Sequence, residues 1–218
     1  PHTLASFASN HDQFAGKRLW DQVDGNEVQY KLAAATYLLL PGTPFIYYGE
    51  EIGMAGAKGL TDDPFIRGPF SWQANEQTAG FTSGKPYRAI SGNINTHHAQ
   101  QQKTTPNSLW AFYRDMLALR NAHQSLAKGT YESAKAQGQV LTYQRKLGQE
   151  HSVVVINYGL QPMQIALDGI ESQSKLSALY SSTSISNLKA AELTVPDAIA
   201  SLKTLKSSQN VRENEIFK

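Results

Sequence analysis

Two short apolar runs on either side of an amphipathic helix constrain the fold of this chain most strongly. Residues Leu4–Ala8 and Pro44–Tyr48 are mainly apolar, β-favouring runs of the kind found in buried strands. Between them, the apolar positions of Val28–Leu40 recur at helical spacing, with Asp24 or Asn26 as the N-cap. This strand–helix–strand pattern predicts two parallel strands in a sheet whose faces are covered.

Polar side chains follow both predicted strands. In parallel α/β folds, the functional residues lie on loops beyond the carboxyl ends of the strands. Ser9–Gln13 occupies this position after the first strand, and Glu50-Glu51 occupies it after the second. Within the first cluster, Asn10, His11 and Asp12 bring an amide, an imidazole and a carboxylate into three consecutive residues. Each could be an ordinary turn residue on its own, but together they form a candidate site.

The rest of the chain divides into a long irregular stretch, a second helix and a β-rich region. Met54–Thr105 has no sustained hydrophobic period, and loops of that length are usually functional. Ser108–Ala122 predicts an amphipathic helix that packs against the sheet. After Gly129, three runs predict antiparallel strands, arranged as a β-sandwich: Val140–Arg145, Ser152–Asn157 and Met163–Leu167. The serine-rich stretch 172–187 and the tail from Ser207 are predicted to be loop or partly disordered.

Composition and charge narrow the possible partners. Of the 218 residues, 40% are hydrophobic, which is enough for a folded core, and the net charge is only +2. Because no Lys/Arg cluster accompanies this near balance, nucleic acid and anionic membranes are not expected partners. There are no cysteines, and no apolar run is long enough to span a bilayer. The chain begins at Pro1 with a predicted strand, which suggests a piece of a longer protein.

Four segments resemble signatures of the α-amylase family of glycoside hydrolases, and they occur along the chain in the same order as in the family. Phe-Ala-Ser-Asn-His-Asp at 7–12 resembles the family's fourth short signature, and Ser108–Arg120 resembles its last barrel helix. Gly42–Met54 is similar to the eighth-strand signature, and Ile66–Trp72 is similar to the Arg-x-Pro-Met/Phe-x-Trp pattern that follows it. The order and spacing of several motifs are more specific than any one of them.

The resemblance implies a fold for the whole chain. It implies that residues 1–127 form the C-terminal part of a (β/α)8 TIM barrel, with strands seven and eight, a long loop and the last helix. It further implies that residues 128–218 form a C-terminal antiparallel β-sandwich domain. The remainder of the barrel, upstream of Pro1, would then be a partner of this segment.

The resemblance also implies a chemistry, in which a carboxylate nucleophile and a carboxylic acid/base act on a glycosidic bond with retention of configuration. Both groups lie on earlier strands in the family, so neither is expected in this chain. Asp12 matches the third carboxylate, which stabilises the transition state, and His11 matches an imidazole that donates to the same sugar hydroxyls. Asn10 is expected to hold the turn. No cofactor is expected in this segment, although a structural calcium elsewhere in the protein fits the family.

Several further side chains have two interpretations. Arg67 could pair with a carboxylate or bind substrate, and Trp72 could stack on a sugar or cover the core; the structural role is slightly favoured for both, and Arg67 is kept as a candidate substrate-binding residue. Adjacent residues at a strand end point opposite ways, so Glu50 and Glu51 are not expected to form an acid/base pair. His97-His98 is expected to be a solvated loop pair.

The leading functional hypothesis is an enzyme acting on α-glucosidic bonds of starch or malto-oligosaccharides, either an α-amylase or an α-glucosidase. One alternative is a transglycosylase or isomerase of the same family, which would also use Asp12 and would differ in how its cleft admits water. Another is a non-catalytic carbohydrate-binding member, against which the intact Asn10-His11-Asp12 motif argues. An extracellular or periplasmic location is favoured because polymeric glucans are often met there.

Overall fold

A computed structural model of the chain describes residues 4–12, 16–170, 175–181, 193–195 and 199–205. The chain divides into two compact units, Pro1–Ala122 and His123–Lys218. The domain bounds predicted from the sequence, 1–127 and 128–218, stay a prediction. No helix among the described residues is long and apolar enough to cross a membrane.

The first unit contains the predicted strand–helix–strand arrangement. Strand β1 is Ala5–Ser6 and strand β2 is Thr43–Pro44, and they pair in parallel with Ala5 opposite Thr43. The Thr43 N–H donates to the Leu4 carbonyl at 2.8 Å, and the Phe45 N–H donates to the Ser6 carbonyl at 2.8 Å. The parallel pairing is therefore confirmed.

Both strands are shorter and more exposed than the sequence pattern predicts. Leu4 is 69% exposed and Phe45 is 57% exposed, whereas both were expected to lie in buried strands. Within the described residues, β1 and β2 form a two-stranded sheet on their own. The prediction of burial is wrong for these residues because an apolar strand is covered only where further strands and helices flank it.

Helix α2, Glu27–Leu39, connects the two strands and confirms the predicted helix. The Asn26 side chain caps its N-terminus by accepting from the Val28 and Gln29 N–H groups at 3.0 and 3.1 Å, an arrangement that contributes about 1 kcal/mol. Helix α1, Leu19–Gln22, precedes it. Tyr30, Ala34, Tyr37 and Leu38 belong to the buried face of α2.

Gly42 explains how α2 can end and β2 begin in so few residues. Its φ of +98° lies in the left-handed region, and a Cβ at this position would come within 2.1 Å of the Leu4 carbonyl oxygen. Only glycine accommodates both the backbone conformation and the close approach of β1.

The predicted second helix is also confirmed, as α5, Leu109–Ala122. The Ser108 hydroxyl accepts from the Ala111 N–H at 3.2 Å and caps it. Near the other end, the buried Arg120 donates to the Leu38 and Leu40 carbonyls, each at 2.9 Å. These carbonyls lie at the C-terminus of α2, so a positive side chain satisfies acceptors that the helix leaves without partners.

The long stretch between β2 and α5 is ordered by short elements and side-chain bonds. It contains a 3₁₀ turn at Glu50–Ile52 and two short helices, α3 at Asp62–Ile66 and α4 at Ala99–Gln102. Asn93 anchors it, because its amide donates to the Gly53 carbonyl at 2.8 Å and accepts from the Ala55 N–H at 3.0 Å.

The second unit is mainly antiparallel sheet, as the sequence predicts. It begins with helix α6, Gln124–Lys128, and its strands are β3 Glu132–Gln137, β4 Val140–Leu147, β5 Glu150–Asn157, β6 Met163–Ile165, β7 Lys175–Ser181, β8 Leu193–Val195 and β9 Ile199–Leu205. Five strands form one sheet in the order β3-β4-β5-β9-β7, and β6 and β8 form a separate pair. The sandwich arrangement of the two sheets stays a prediction.

The core of this unit is aliphatic and includes residues of both sheets. It contains Val140, Val153, Val155, Ile165, Leu167, Leu176 and Leu193. Strand β7 corrects the prediction of a loop over 172–187, since the segment Lys175–Ser181 pairs with β9. The remainder of that serine-rich stretch and the tail from Ser207 lie outside the described residues.

Candidate active site

The polar turn after β1 presents the predicted site residues to solvent. The Asp12 N–H donates to the Asn10 side-chain oxygen at 2.8 Å, so Asn10 closes the turn on itself. The His11 side chain is 67% exposed and the Asp12 side chain is 51% exposed. The His11 Nε2 lies 3.3 Å from an Asp12 carboxylate oxygen. The turn therefore holds an imidazole and a carboxylate side by side.

Arg67, which lies far along the chain, reaches the same turn. Its Nε donates to the His11 carbonyl at 2.8 Å, and its Nη2 lies 3.7 Å from the Asp12 carboxylate. Asp63, one helical turn earlier, pairs with the Arg67 Nη1 at 2.9 Å. The Arg67 guanidinium thus contacts two carboxylates and a backbone carbonyl. Together these three contacts fix its orientation.

An open groove continues from Arg67 along the ordered loop. It encloses about 640 Å³ and is lined mainly by apolar groups, among them Tyr48, Trp72, Phe81 and Tyr87. Trp72 is 47% exposed and packs against Phe70 with ring centroids 4.5 Å apart. Broad aromatic faces with a guanidinium at one end suit a ligand that has both apolar ring faces and hydroxyl groups.

Two tyrosines fix the near wall of this groove. The Tyr48 hydroxyl donates to the Gly68 carbonyl at 2.6 Å, and the Tyr47 hydroxyl donates to the Ile66 carbonyl at 3.1 Å. The buried Arg18 lies against both rings, at 4.8 and 4.7 Å from their centroids. Arg18 also donates to the Tyr48 carbonyl at 2.8 Å, so it supports the wall from behind.

The two neighbouring glutamates point to different environments. Glu51 accepts from the Gly49 N–H at 2.9 Å and borders the groove, as expected of a side chain that holds a loop by a backbone bond. Glu50 is only 2% exposed and turns into the core. Burial raises the pKa of Glu50 to about 7 against hydrogen bonds from Ser9 and Tyr37 that act in the other direction. Glu50 and Glu51 therefore do not form an acid/base pair that could flank one glycosidic bond.

The histidine pair is not solvated, which corrects the prediction. His97 and His98 are each 7% exposed. His97 packs against Trp20 with ring centroids 4.0 Å apart, and burial lowers its pKa. His98 accepts from the Gln101 N–H and caps α4. Both are structural because the ordered loop folds over them, which a polar sequence context does not reveal. Among the described residues, no three His, Asp or Glu side chains form a group that could hold a metal ion.

The family model for the alpha-amylase catalytic domain matches residues 2–129. The chain belongs to the alpha-amylase family. It is 36% identical over 155 residues to alpha-amylase 3 of Dictyoglomus thermophilum, with 70% of this chain and 30% of that protein covered. It is 29% identical over 187 residues to the probable oligo-1,6-glucosidase 3 of Bacillus subtilis strain 168, with 69% and 33% covered.

The fold also matches solved structures of the alpha-amylase family. The isomaltulose synthase SmuA from Protaminobacter rubrum superposes with a TM-score of 0.75 at 26% identity, over 93% of this chain and 43% of that one. The chain therefore spans about a third of the two sequence relatives and less than half of this structure. Its structural neighbours are TIM-barrel enzymes of the family, and its sequence relatives include alpha-amylase 3, the oligo-1,6-glucosidase and a trehalose synthase of Thermus thermophilus.

The structure brings His11, Asp12 and Arg67 of this alpha-amylase family member into one cluster, with Asn10 supporting the turn. Sequence reasoning missed Arg18, the buried orientation of Glu50 and the contributions of Phe81 and Tyr87 to the groove. Arg18 follows a run without helical or strand periodicity, so it carried no signal. The aromatic residues were detectable only as apolar side chains in an otherwise polar loop.

Proposed function

We propose that this chain forms part of the active site of a retaining glycoside hydrolase that acts on the α-glucosidic bonds of starch or malto-oligosaccharides. The observation that carries the proposal is the half-exposed Asp12 carboxylate, held beside His11 and Arg67 at the end of an aromatic groove. In this role, Asp12 binds sugar hydroxyls and favours the positively charged, oxocarbenium-like transition state. His11 and Arg67 donate hydrogen bonds to the same sugar, and Asn10 keeps the turn in shape.

The length of the groove supports an oligosaccharide or polysaccharide of glucose as the substrate, and not a single sugar. A pyranose ring has an apolar face, which stacks on aromatic side chains, and hydroxyls, which accept hydrogen bonds from guanidinium groups. We propose that the glucan continues from the Asp12 cluster past Arg67 and over Trp72 and Tyr87. The proposed chemistry assigns no cofactor to this segment.

The proposal includes a fold. We infer that β1 and β2 are the seventh and eighth strands of the barrel and that the antiparallel sheets form the C-terminal sandwich. The exposed Leu4, Phe7 and Phe45 support this inference, since neighbouring strands and helices of a barrel would cover them. The remainder of the barrel, with the nucleophile and the acid/base, is then the partner that completes the site.

The direct test is Asp12→Asn in the full-length protein, with reducing-sugar release from starch and maltose as the measurement. The change keeps the shape of the side chain and removes its charge, so kcat should fall about 100-fold or more while KM changes less. His11→Ala should cost less in the same assay. Asp62→Asn, which removes an exposed carboxylate on α3, is the matched control and should leave kcat unchanged. Near wild-type turnover by Asp12→Asn would exclude Asp12 from the site.

Similarity to the isomaltulose synthase supports a second candidate, a transglycosylase or isomerase of the same family. Both reactions would pass through the same Asp12-stabilised transition state and would differ in whether water or a sugar hydroxyl attacks. Product analysis with sucrose and with maltose separates them, because an isomerase gives a disaccharide product and a hydrolase gives monosaccharides.

A non-catalytic, carbohydrate-binding member of the family is the alternative from a different class. It would bind malto-oligosaccharides without turnover by the full-length protein. The intact Asn10-His11-Asp12 motif argues against it, because it matches a signature of the family's catalytic site. Binding measured by calorimetry together with no sugar release on any of these substrates would favour this alternative.

A further inference from the structure

The buried carboxyl group of Glu50 lies directly behind the turn that carries the proposed site residues. The Ser9 hydroxyl donates to one of its oxygens, and the Tyr37 hydroxyl donates to the other at 2.7 Å. The Ser9 main-chain N–H donates to the same carboxyl group. Two of these three donors therefore belong to Ser9, which is 1% exposed and immediately precedes Asn10.

A buried carboxylate is costly, and no charged side chain among the described residues forms an ion pair with this one. The titratable groups that act on it are the phenols of Tyr30 and Tyr37 on α2, the phenol of Tyr113 on α5 and the neighbouring Glu51 carboxylate. All of these are neutral or negative in their ordinary states, and none offsets its charge. The hydrogen bonds from Ser9 and Tyr37 compensate for the removal of the Glu50 carboxylate from water.

Ser9 is the point at which the turn is attached to the core. The side chains of His11 and Asp12 beyond it are at least half exposed, and the bond from Asp12 to Asn10 lies inside the turn. Among the described residues, Gln22 also donates to the Ala8 carbonyl, and Arg67 also reaches the His11 carbonyl and the Asp12 carboxylate, but these attachments lie at exposed positions. The orientation of the turn therefore depends on what holds Ser9.

We propose that Glu50 is a positioning residue for the active site, which fixes Ser9 and thereby the turn that presents Asn10, His11 and Asp12. This inference rests on the function proposed above. A carboxylate accepts from all three donors at once, whereas an apolar side chain of the same size would leave the two Ser9 donors without partners. The geometry at Asp12 matters because displacements of about 1 Å can cost about 100-fold in rate.

The test compares two donors to the same carboxyl group in the full-length enzyme. Ser9→Ala removes the hydroxyl donor on the side of the turn, and Tyr37→Phe removes the donor on the side of the core. On whichever of starch, maltotriose and sucrose is converted fastest, Ser9→Ala should lower kcat about tenfold with KM within about twofold, and Tyr37→Phe should keep kcat within about twofold. Glu50→Gln keeps an acceptor oxygen for Ser9 and should retain more kcat than Ser9→Ala.

Two outcomes overturn the inference. Wild-type kcat in Ser9→Ala would mean that the turn does not depend on this contact. Equal losses in Ser9→Ala and Tyr37→Phe, together with equal drops in unfolding temperature, would mean that Glu50 only contributes to core packing. Asp12→Asn is measured in parallel, so that a failed inference, in which only Asp12→Asn loses turnover, is distinguished from a failed function, in which Asp12→Asn is fully active.

Discussion

The apolar residues around strand β1 and within strand β5 lie in different environments. In β5, Val153 is 1% exposed and Val154, Val155 and Ile156 are 0% exposed, and β4 and β9 pair with its two edges. The residues on either side of β1, Leu4 and Phe7, are 69% and 41% exposed, and β1 pairs with β2 alone in the described chain. Burial of an apolar run is therefore decided by its neighbours in space and not by its composition.

The comparison extends from packing to function. The β5 region has an aliphatic core that needs no ionisable group, whereas β1 leads into a turn attached to a buried carboxyl group and bordered by exposed charges. Residues that bind or react must remain accessible to substrate. The region around β1 therefore has more polar contacts and less buried apolar area than the region around β5.

The first prediction concerns the catalytic capacity of the β1 region without the rest of the protein. The 218-residue chain alone should show no measurable glycosidase activity, because β1 and its turn would supply Asp12 without the nucleophile and acid/base that flank the bond. The measurement is sugar release from maltotriose by the purified chain, with the full-length enzyme as the positive control. Hydrolysis by the chain that disappears in Asp12→Ala would show that the β1 region is sufficient.

The second prediction concerns the titration of Glu50 in the first unit. All three tryptophans, Trp20, Trp72 and Trp110, lie in this unit, so their fluorescence reports on its unfolding. The pKa of Glu50 is raised to about 7, so the folded state binds more protons than the unfolded state between about pH 4.5 and 7. The contribution of Glu50 to the free energy of unfolding should therefore fall as the pH rises through this window, by about 3 kcal/mol, and this loss should be complete above pH 7.

Glu50→Gln removes this contribution. The difference in unfolding free energy between wild type and variant, from urea denaturation followed by tryptophan fluorescence at pH 4 and pH 8, measures it. Glu76→Gln, at an exposed position, is the matched control and should follow wild type. A Glu50→Gln variant whose pH dependence equals that of wild type would contradict a raised pKa at Glu50.

The third prediction compares the strands themselves and has the smallest expected effect. Val155→Ala removes buried methyl groups from β5 and should destabilise the second unit by about 2 kcal/mol. Leu4→Ala removes more atoms beside β1 but should change the stability of the 218-residue chain by less than about 0.5 kcal/mol, because Leu4 is exposed. Urea denaturation followed by circular dichroism for the first and by tryptophan fluorescence for the second provides the values. Equal losses would mean that Leu4 is buried in solution.

Local sequence was sufficient to predict the elements with strong periodicity. Helices α2 and α5 lie within one residue of their predicted starts, because both combine helical spacing of apolar residues with a capping Asn or Ser. The antiparallel strands β4 and β5 were predicted slightly too short. The turn between them occupies only Gly148 and Gln149, so pairing extends further than the polar residues beside the turn suggest.

The candidate site was predictable in part. Asn10, His11 and Asp12 are consecutive, so their proximity follows from the chain itself. The approach of Arg67 does not follow, because it depends on the path of an irregular loop between the two segments. The prediction that Glu50 and Glu51 do not form an acid/base pair is confirmed, but these residues do not lie at a strand end. They lie in a 3₁₀ turn, where one side chain enters the core and the other borders the groove.

Sequence alone is sufficient to predict the parallel strand–helix–strand unit, the capped helices, the antiparallel character of the second unit and membership of the alpha-amylase family. These depend on residues that are close in the chain, or on motifs whose order the chain carries directly. Four features follow from tertiary contacts instead: Ser9 bonds to Glu50, Arg120 donates to carbonyls at the end of α2, His97 and His98 are buried, and Leu4 is exposed. Each of these depends on groups brought together from distant positions, where desolvation and hydrogen-bond satisfaction are settled by the packing of whole elements.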